Sequence, residues 1–396
     1  MSNRRKIAVL VESSRGYGRG LLHGVATYVR EHGPWTIHNH ERRLYDAAPD
    51  WLKQWRGDGI IARISTPRFA RQIARLRVPT VDLLGLHPIK NVPVIITDHR
   101  AVARSAADHL LERGLVHFAF CGFTGIHFSE RRSQYFVEYL SEHGHSVSVY
   151  TDPRSAQQCD AATIEVESLP SVAHLAAWLK SLPKPVGLMA ATDDRAHHVL
   201  NVCGEFGIAV PDEVAVIGVD NDEMLCDLCD PRLSSVALNP RRVGYEAAAL
   251  LNRMMRGTPP PKEKMLIPPL GVVMRQSTDV LAISDADVAA ALRFIRERAC
   301  NGIAVEDVAR HAGLSRSTLK RRFAAILRRS PKDEIDRVQL DRVMQLLSTT
   351  ELSLAKIADL AGFHHVESMC KLFRRKTGMT PGRHRKMWSK KATQVG

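Results

Sequence analysis

The 396-residue sequence predicts a front half of α/β type with parallel sheets and a wholly helical back half that carries two helix-turn-helix units. Three observations predict this. Short apolar runs alternate with amphipathic stretches from residue 6 to about 275. A helix, glycine turn, helix pattern occurs twice beyond residue 300, and basic residues concentrate beyond Asp285.

A chain of this length exceeds one ordinary core, so two or three domains are expected. The composition, 44% hydrophobic and 25% charged, is that of a soluble globular protein and excludes a largely disordered chain. No run of about 18 apolar residues occurs, so no membrane helix is expected. Arg4-Arg5-Lys6 followed by Ile7–Val11 imitates the start of a secretory signal. The apolar run stops at Glu12, short of the roughly 7 to 15 residues such a segment needs, and no small-residue cleavage site follows. Seven cysteines, at 121, 159, 203, 226, 229, 300 and 370, are odd in number and scattered, which suits reduced thiols. A cytoplasmic protein is expected. Cys226 and Cys229 form a CxxC without a second pair, and His197-His198 and His364-His365 lack ligand spacing, so neither a metal nor another cofactor is expected.

In the front half, Ile7–Val11, Gly59–Ile64, Thr80–Leu84, Phe118–Cys121, Val186–Ala190 and Val214–Val219 have the continuous apolar character of buried strands. Gly20–Glu31, Ala101–Glu112 and Arg131–His143 lie between them with helical patterns. In such folds ligands bind beyond the carboxyl ends of the strands. Gly257-Thr258-Pro259-Pro260-Pro261 and Pro268-Pro269 then change the texture to turns or edge segments. From Asp287 onward the pattern is helical, which places a boundary near 280 and domains at 1–280 and 281–396.

From Asp285 to the end there are 23 Lys/Arg against 12 Asp/Glu, a net of +11; the first 284 residues hold 33 against 30, a net of +3. A local basic excess attracts polyanions, nucleic acid above all in a soluble protein.

Within that segment, Val308-Ala309-Arg310-His311-Ala312-Gly313-Leu314-Ser315 matches Ile357-Ala358-Asp359-Leu360-Ala361-Gly362-Phe363-His364 at an offset of 49. After one inserted residue the offset becomes 50, pairing Thr318 with Ser368, Leu319 with Met369, Phe323 with Phe373 and Pro331 with Pro381. Val308 and Ala312, or Ile357 and Ala361, share one helix face, while Leu319 and Phe323, or Met369 and Phe373, pack the second helix back. The units span about 305–328 and 354–376, joined by the helical stretch Lys332–Leu347. The outer face of the first offers Arg316, Ser317, Lys320 and Arg321; that of the second offers Glu367, Ser368, Lys371 and Arg374. Residues four apart can reach neighbouring base edges: Arg321 suits a guanine, and the flanking basic residues suit phosphates. Two such units can engage major-groove faces roughly 34–36 Å apart on duplex DNA.

Over about Asp287 to Trp388 the segment resembles the AraC/XylS family of bacterial activators. The resemblance rests on Ala312-Gly313-Leu314-Ser315-Arg316-Ser317, the Phe323 and Phe373 anchors, and the ending Phe373-Arg374-Arg375-Lys376-Thr377-Gly378-Met379-Thr380-Pro381. It implies base contacts from Ser317, Arg321, Glu367 and Lys371. Cys370-Lys371-Leu372-Phe373 departs from the family's usual serine- and arginine-containing run.

In the front half His109-Leu110-Leu111-Glu112-Arg113-Gly114, His117–Phe120, Ala191–His198 and Gly218-Val219-Asp220-Asn221 resemble the regulatory core shared by LacI-type repressors and periplasmic sugar-binding proteins. That likeness implies a two-lobed periplasmic-binding-protein-like domain with a polyhydroxylated ligand between the lobes, held by carboxylates, amides and an arginine. By position the ligand-binding candidates are Ser13, Ser14, Tyr17, Asp98, Arg132, Asp193, Asp220 and Asn221, with Arg131 as the alternative to Arg132. Asp193 and Asp220 have a structural alternative as a helix cap and a strand end. A sensor followed by an AraC-type reader resembles the regulators of xylose operons. The resemblance implies a pentose effector, D-xylose or a relative, together with a homodimer, RNA polymerase as partner and activation of pentose catabolic genes.

Two other function classes are weighed against it. An enzyme is disfavoured because no GxSxG, HExxH, P-loop or dinucleotide fingerprint stands where a strand and helix would position it; Ser14-Arg15-Gly16-Tyr17-Gly18-Arg19-Gly20 lacks GxGxxG spacing. A constitutive DNA binder with a scaffold-only front half, or a regulator sensing another small ligand, is separated from the leading expectation by titration with pentoses.

Overall fold

Side chains of β1 (Arg5–Leu10) bury on both faces, Ile7 and Val9 into one apolar cluster and Ala8 and Leu10 into another, so this strand lies at the centre of a three-layer lobe. The computed structural model describes residues 4–151, 171–280, 285–327, 329–349 and 352–385. Cys159 and the Trp388 end of the AraC-like segment lie outside them. The chain divides into two compact units, Met1–Ala282 and Ile283–Gly396.

The first lobe continues with α1 (Gly16–His32), β2 (Trp35–Asn39), β3 (Gly59–Ala62), α2 (Pro67–Leu76) and β4 (Thr80–Asp82), forming a parallel sheet of order β2-β1-β3-β4. Thr66 caps α2, its hydroxyl accepting from the Phe69 amide at 3.2 Å, and Pro67 starts the helix with φ already set. The chain crosses to the second lobe after β5 (Ile95–Thr97). It runs through α3 (His99–Leu111), β6 (His117–Cys121), α4 (His127–Glu142), β7 (Val147–Val149), α5 (Val172–Ser181), β8 (Val186–Ala190), α6 (Asp193–Glu205), β9 (Val214–Asp220), α7 (Glu223–Leu228) and β10 (Ser234–Ala237). It then returns through α8 (Pro240–Met254), which packs on α1 around Val243, Ala247 and Leu251.

The segment around the prolines does more than turn. Its β11 (Met265–Ile267) pairs in parallel with β5, and β12 (Gly271–Val273) adds antiparallel to β10 at the edge of the second sheet, of order β12-β10-β9-β8-β6-β7.

The six apolar runs all form strands, whereas β2, β5, β7, β10, β11 and β12 had no such run to mark them. The edge strand β2 is largely exposed and reads Trp-Thr-Ile-His-Asn. The buried β10 opens on Ser234-Ser235, two fully buried serines whose hydroxyls are satisfied: Ser235 donates to Asp193 and Ser234 accepts from Thr278.

The second unit is helical throughout its described residues: α9 (Ala286–Arg298), α10 (Val305–His311), α11 (Arg316–Leu327), α12 (Pro331–Thr349), α13 (Leu354–Leu360) and α14 (Val366–Thr377). Among the described residues no helix is long and apolar enough to cross a membrane, and no group of three or more His, Cys, Asp or Glu is placed to hold a metal ion. Cys226 and Cys229 are buried; burial pushes the Cys229 thiol up to about 11 and raises that of Cys226, which donates to Asp193.

Candidate ligand cleft and nucleic-acid interface

Where the strands of the two lobes end, a cleft of about 600 Å³, counting its mouth, lies between them, a size typical of small-molecule sites. The first lobe contributes Glu12, Arg15, Tyr17, Arg63, Leu83 and Leu84; the second contributes His99, His127, Phe128, Arg132, Thr192 and Asp220.

Arg132 is 4% exposed. Its guanidinium donates to the Ala191 carbonyl, lies 3.7 Å from an Asp220 carboxylate oxygen, and sits over the Phe128 ring at 5.3 Å. Across the cleft Arg63 and Glu12 form a buried ion pair at the ends of β3 and β1, and the Tyr17 hydroxyl meets Thr97 Oγ1 at 2.9 Å. Three buried atoms here, Glu12 Oε2, His99 Nδ1 and Arg132 Nε, have no hydrogen-bond partner among the described residues. Unpaired polar groups in a concave, half-dry site are costly alone and suit a ligand that both donates and accepts. Two further ion pairs cross the cleft mouth, Arg15 with Asp194 at 3.3 Å and Arg19 with Asp222 at 3.9 Å.

The eight ligand-binding candidates separate into two layers. Tyr17, Arg132 and Asp220 line the cleft. Asp193, buried as the first residue of α6, accepts from Ser235 Oγ at 2.6 Å and from the Asp222 amide at 2.8 Å, so it braces the loop beyond β9. In that loop Asp220 and Asn221 both adopt positive φ, 115° and 51°, a strained conformation for non-glycine residues. Arg275 holds it by donating to Asn221 Oδ1 at 2.9 Å. Asp98 caps α3 through the Ala101 amide at 3.0 Å, Ser14 is exposed with its carbonyl accepting from Arg19, and the buried Ser13 hydroxyl has no partner among the described residues. Of the two neighbouring arginines, Arg132 faces the cleft and Arg131 bonds Gln134 on the surface.

Glu12, Arg63, His99, His127, Phe128 and Thr192 were not among the candidates. A signal existed for two of them: Glu12 ends an apolar run and Arg63 interrupts one just past the end of β3, where strands deliver side chains to a cleft.

Burial raises the Asp193 carboxyl, with the Asp220 charge adding to it. Burial likewise pushes Asp220 up to about 6, against the pull of Arg132. Burial, then the charge of Arg132, holds the His99 imidazole well below its usual range, so it is neutral at pH 7. A hydroxyl donates more strongly to the ionised Asp220 carboxylate than to its protonated form. Ligand affinity should therefore be full above pH 6 and fall as pH drops below it, by at most about tenfold per unit for one proton. Calorimetry at a series of pH values checks this, and a flat profile between pH 5 and 7 would remove Asp220 from ligand contact.

In the second unit both copies have the same construction. Val308, Ala309, Leu319 and Phe323 are buried in the first, and Ile357, Ala358, Ala361, Met369 and Phe373 in the second. The helices α10 and α13 end one residue before Ala312 and Ala361, so Ala309 and Ala358 bury within the helices, while Ala361 alone of the later pair is buried. Both turn glycines adopt positive φ, 65° at Gly313 and 76° at Gly362; only at Gly362 would a Cβ also press on backbone, that of Ala299 and Cys300. The buried Gln339 of α12 donates to the carbonyls of Ala299 and Gly362, both at 3.0 Å, and so ties the first half of the unit to the second.

All eight DNA-binding candidates, Arg316, Ser317, Lys320 and Arg321 on α11 and Glu367, Ser368, Lys371 and Arg374 on α14, are exposed. Arg316 pairs with Glu306 at 2.6 Å, whereas Lys320, Arg321, Lys371 and Arg374 have no ion pair among the described residues. Arg322, next to them in sequence, is structural and binds Asp285 and Asp287 at the start of α9. If Arg321 reads a guanine edge, Arg321→Ala should cost about 1–3 kcal/mol and relax preference at one base pair. Competition with operator variants measures this; an equal loss on every sequence makes Arg321 a phosphate contact.

A two-lobed binding-protein domain ahead of a duplicated helix-turn-helix unit defines a class of transcription regulator. The periplasmic binding protein-like domain matches residues 107–278, the XylR N-terminal domain residues 6–96 and a helix-turn-helix domain residues 308–387. The chain is 32% identical to the xylose operon regulatory protein of Haemophilus influenzae, over 95% of this chain and 97% of that one, and 32% identical to that of Escherichia coli K12, over 97% of both. A solved structure of a xylose-binding transcription activator, XylR, matches with a TM-score of 0.76 and 31% identity, covering 98% of this chain and 99% of that one. The chain belongs to the xylose operon regulatory protein family. A LacI-type regulator of Alkaliphilus metalliredigens solved with D-xylulofuranose matches at a TM-score of 0.55 and 20% identity over 69% of this chain and 99% of that one, a likeness of fold alone.

Proposed function

We propose that this regulator activates pentose catabolic genes in the cytoplasm, and that D-xylose or a close relative bound between the lobes controls DNA binding or activation. One observation carries the proposal: the half-satisfied polar set of the buried Glu12 and Arg132 and the half-buried His99 and Asp220 offers acceptors and donors in one cleft. Sugar hydroxyls do both, so they can complete these groups where an apolar ligand cannot. The names of the relatives give the same direction to the choice of sugar. The bound sugar favours one arrangement of the lobes and so changes how two chains present their DNA-reading ends to the operator and to RNA polymerase. Such control requires unequal sugar affinity in the two arrangements. Titrating the purified chain with a panel of pentoses in a calorimeter tests the first step. Saturable binding of D-xylose supports the proposal, and heat indistinguishable from dilution for every pentose removes it.

A further inference from the structure

The exposed face of α2 carries a row of arginines that neither the cleft nor the helix-turn-helix units use. Arg68, Arg71 and Arg75 stand three and four residues apart, so they project from one side of the helix, and Arg77 follows just past its end. All four are exposed. Phe69, Ala70 and Ile73 bury the opposite face against β1 and β3, which fixes which side the arginines present. No acidic residue occurs from Pro67 to Val78, and none of the four has an ion pair among the described residues. Some exposed arginines of this unit are paired, Arg100 with Glu138, Arg104 with Asp108 and Arg242 with Glu246; others, such as Arg56 and Arg256, are exposed without an ion pair among the described residues, but they do not form a row of three along one helix face. Asp50, whose ionised form Arg68 favours, is already bonded by Lys53 at 2.8 Å. Like charges one turn apart repel and weaken a helix, so the row is a cost to the free protein that a polyanion would offset.

From Arg68 to Arg75 the helix rises about 10 Å. Duplex DNA presents a phosphate charge about every 1.7 Å of axis, so a row of that length faces several phosphates at once. Guanidinium forks suit phosphate oxygens, and the amide side chain beside them, Gln72, is half-buried with its Nε2 withdrawn from solvent. We infer that the arginine face of α2 is a sequence-independent phosphate-contacting surface, through which the sensor unit adds contacts to DNA flanking the half-sites read by α11 and α14.

The test uses the full chain with Arg68, Arg71 and Arg75 all changed to Gln, and a companion with all three changed to Lys. Affinity is measured against salt on a duplex limited to the two half-sites and on one with long flanks. On the flanked duplex the Gln variant should lose roughly 2 to 3 from the slope of log affinity against log salt, and bind more weakly than the Lys variant, which should retain most of the slope. On the bare half-sites the Gln variant should match the original chain. Unchanged slopes on the flanked duplex, or an equal loss on both duplexes, overturn the inference. If only transcription with RNA polymerase falls while every slope is unchanged, the face binds protein and the inference is likewise overturned. The side chains are exposed and their mutual repulsion is relieved, so the thermal unfolding temperature should be equal to or slightly above that of the original chain; that measurement confirms that the Gln variant is folded.

Discussion

Arg132→Leu should weaken pentose binding at least about 100-fold, the largest single effect expected in the cleft. The substitution removes the buried donor to the Ala191 carbonyl and leaves the half-buried Asp220 without its nearby cation. Removing one partner of a buried pair typically costs about 3–5 kcal/mol, because the remaining charge is uncompensated. Asp220, already pushed up to about 6, would take up a proton near neutral pH and so lose the charge that makes it a strong acceptor for a hydroxyl. A loss of stability alone would produce a similar phenotype, so a second variant separates the two. Arg132→Leu combined with Asp220→Asn carries no unpaired charge; it should recover thermal stability and still fail to bind pentose. Calorimetry beside thermal unfolding reads both, and wild-type pentose affinity in the single variant would remove Arg132 from the site.

Phe373→Ala should abolish operator binding while sparing sugar binding. The ring is fully buried in a cluster with Ile357, Ala361, Met369 and Val343, where it holds α14 against α13 and the connecting helix α12. Truncating a buried phenylalanine costs about 3–5 kcal/mol, a large share of the roughly 5–15 kcal/mol that holds a domain folded. Because the two units of the chain are compact separately, the loss should lower only the unfolding transition of Ile283–Gly396. Phe323→Ala should act the same way through the first copy. A lowered transition in the sugar-binding unit, or operator affinity within a few-fold of the original, would contradict this assignment.

The sequence carried much of this architecture because several of its signals were redundant. Central strands of a parallel sheet bury both faces, so β1, β3, β8 and β9 announced themselves as apolar runs. Edge and crossover strands carry no such requirement: β2 is exposed, β5 and β11 are three residues long, and β10 begins with buried serines that hydrogen bonds make tolerable. The duplicated helix-turn-helix was readable twice over, from the Phe323 and Phe373 anchors and from the turn glycines. Gln339 was not, because its two acceptors, the Ala299 and Gly362 carbonyls, lie 40 and 23 residues away and leave no local pattern. In the cleft, position after a strand found Tyr17 and Asp220, but it could not separate a residue that lines the cavity from one that braces it, as Asp193 and Asn221 do. That difference depends on contacts between β9, β10 and α6 that converge only in three dimensions.

Coupling between the cleft and the reader is the central claim, and operator affinity measured with and without saturating D-xylose tests it most directly. Allosteric coupling of ordinary size, about 1–3 kcal/mol, would change the operator dissociation constant roughly 5- to 150-fold, and operator DNA would change sugar affinity by the same factor. Sugar that binds the full chain but leaves operator affinity, spacing preference and transcription all unchanged would contradict it.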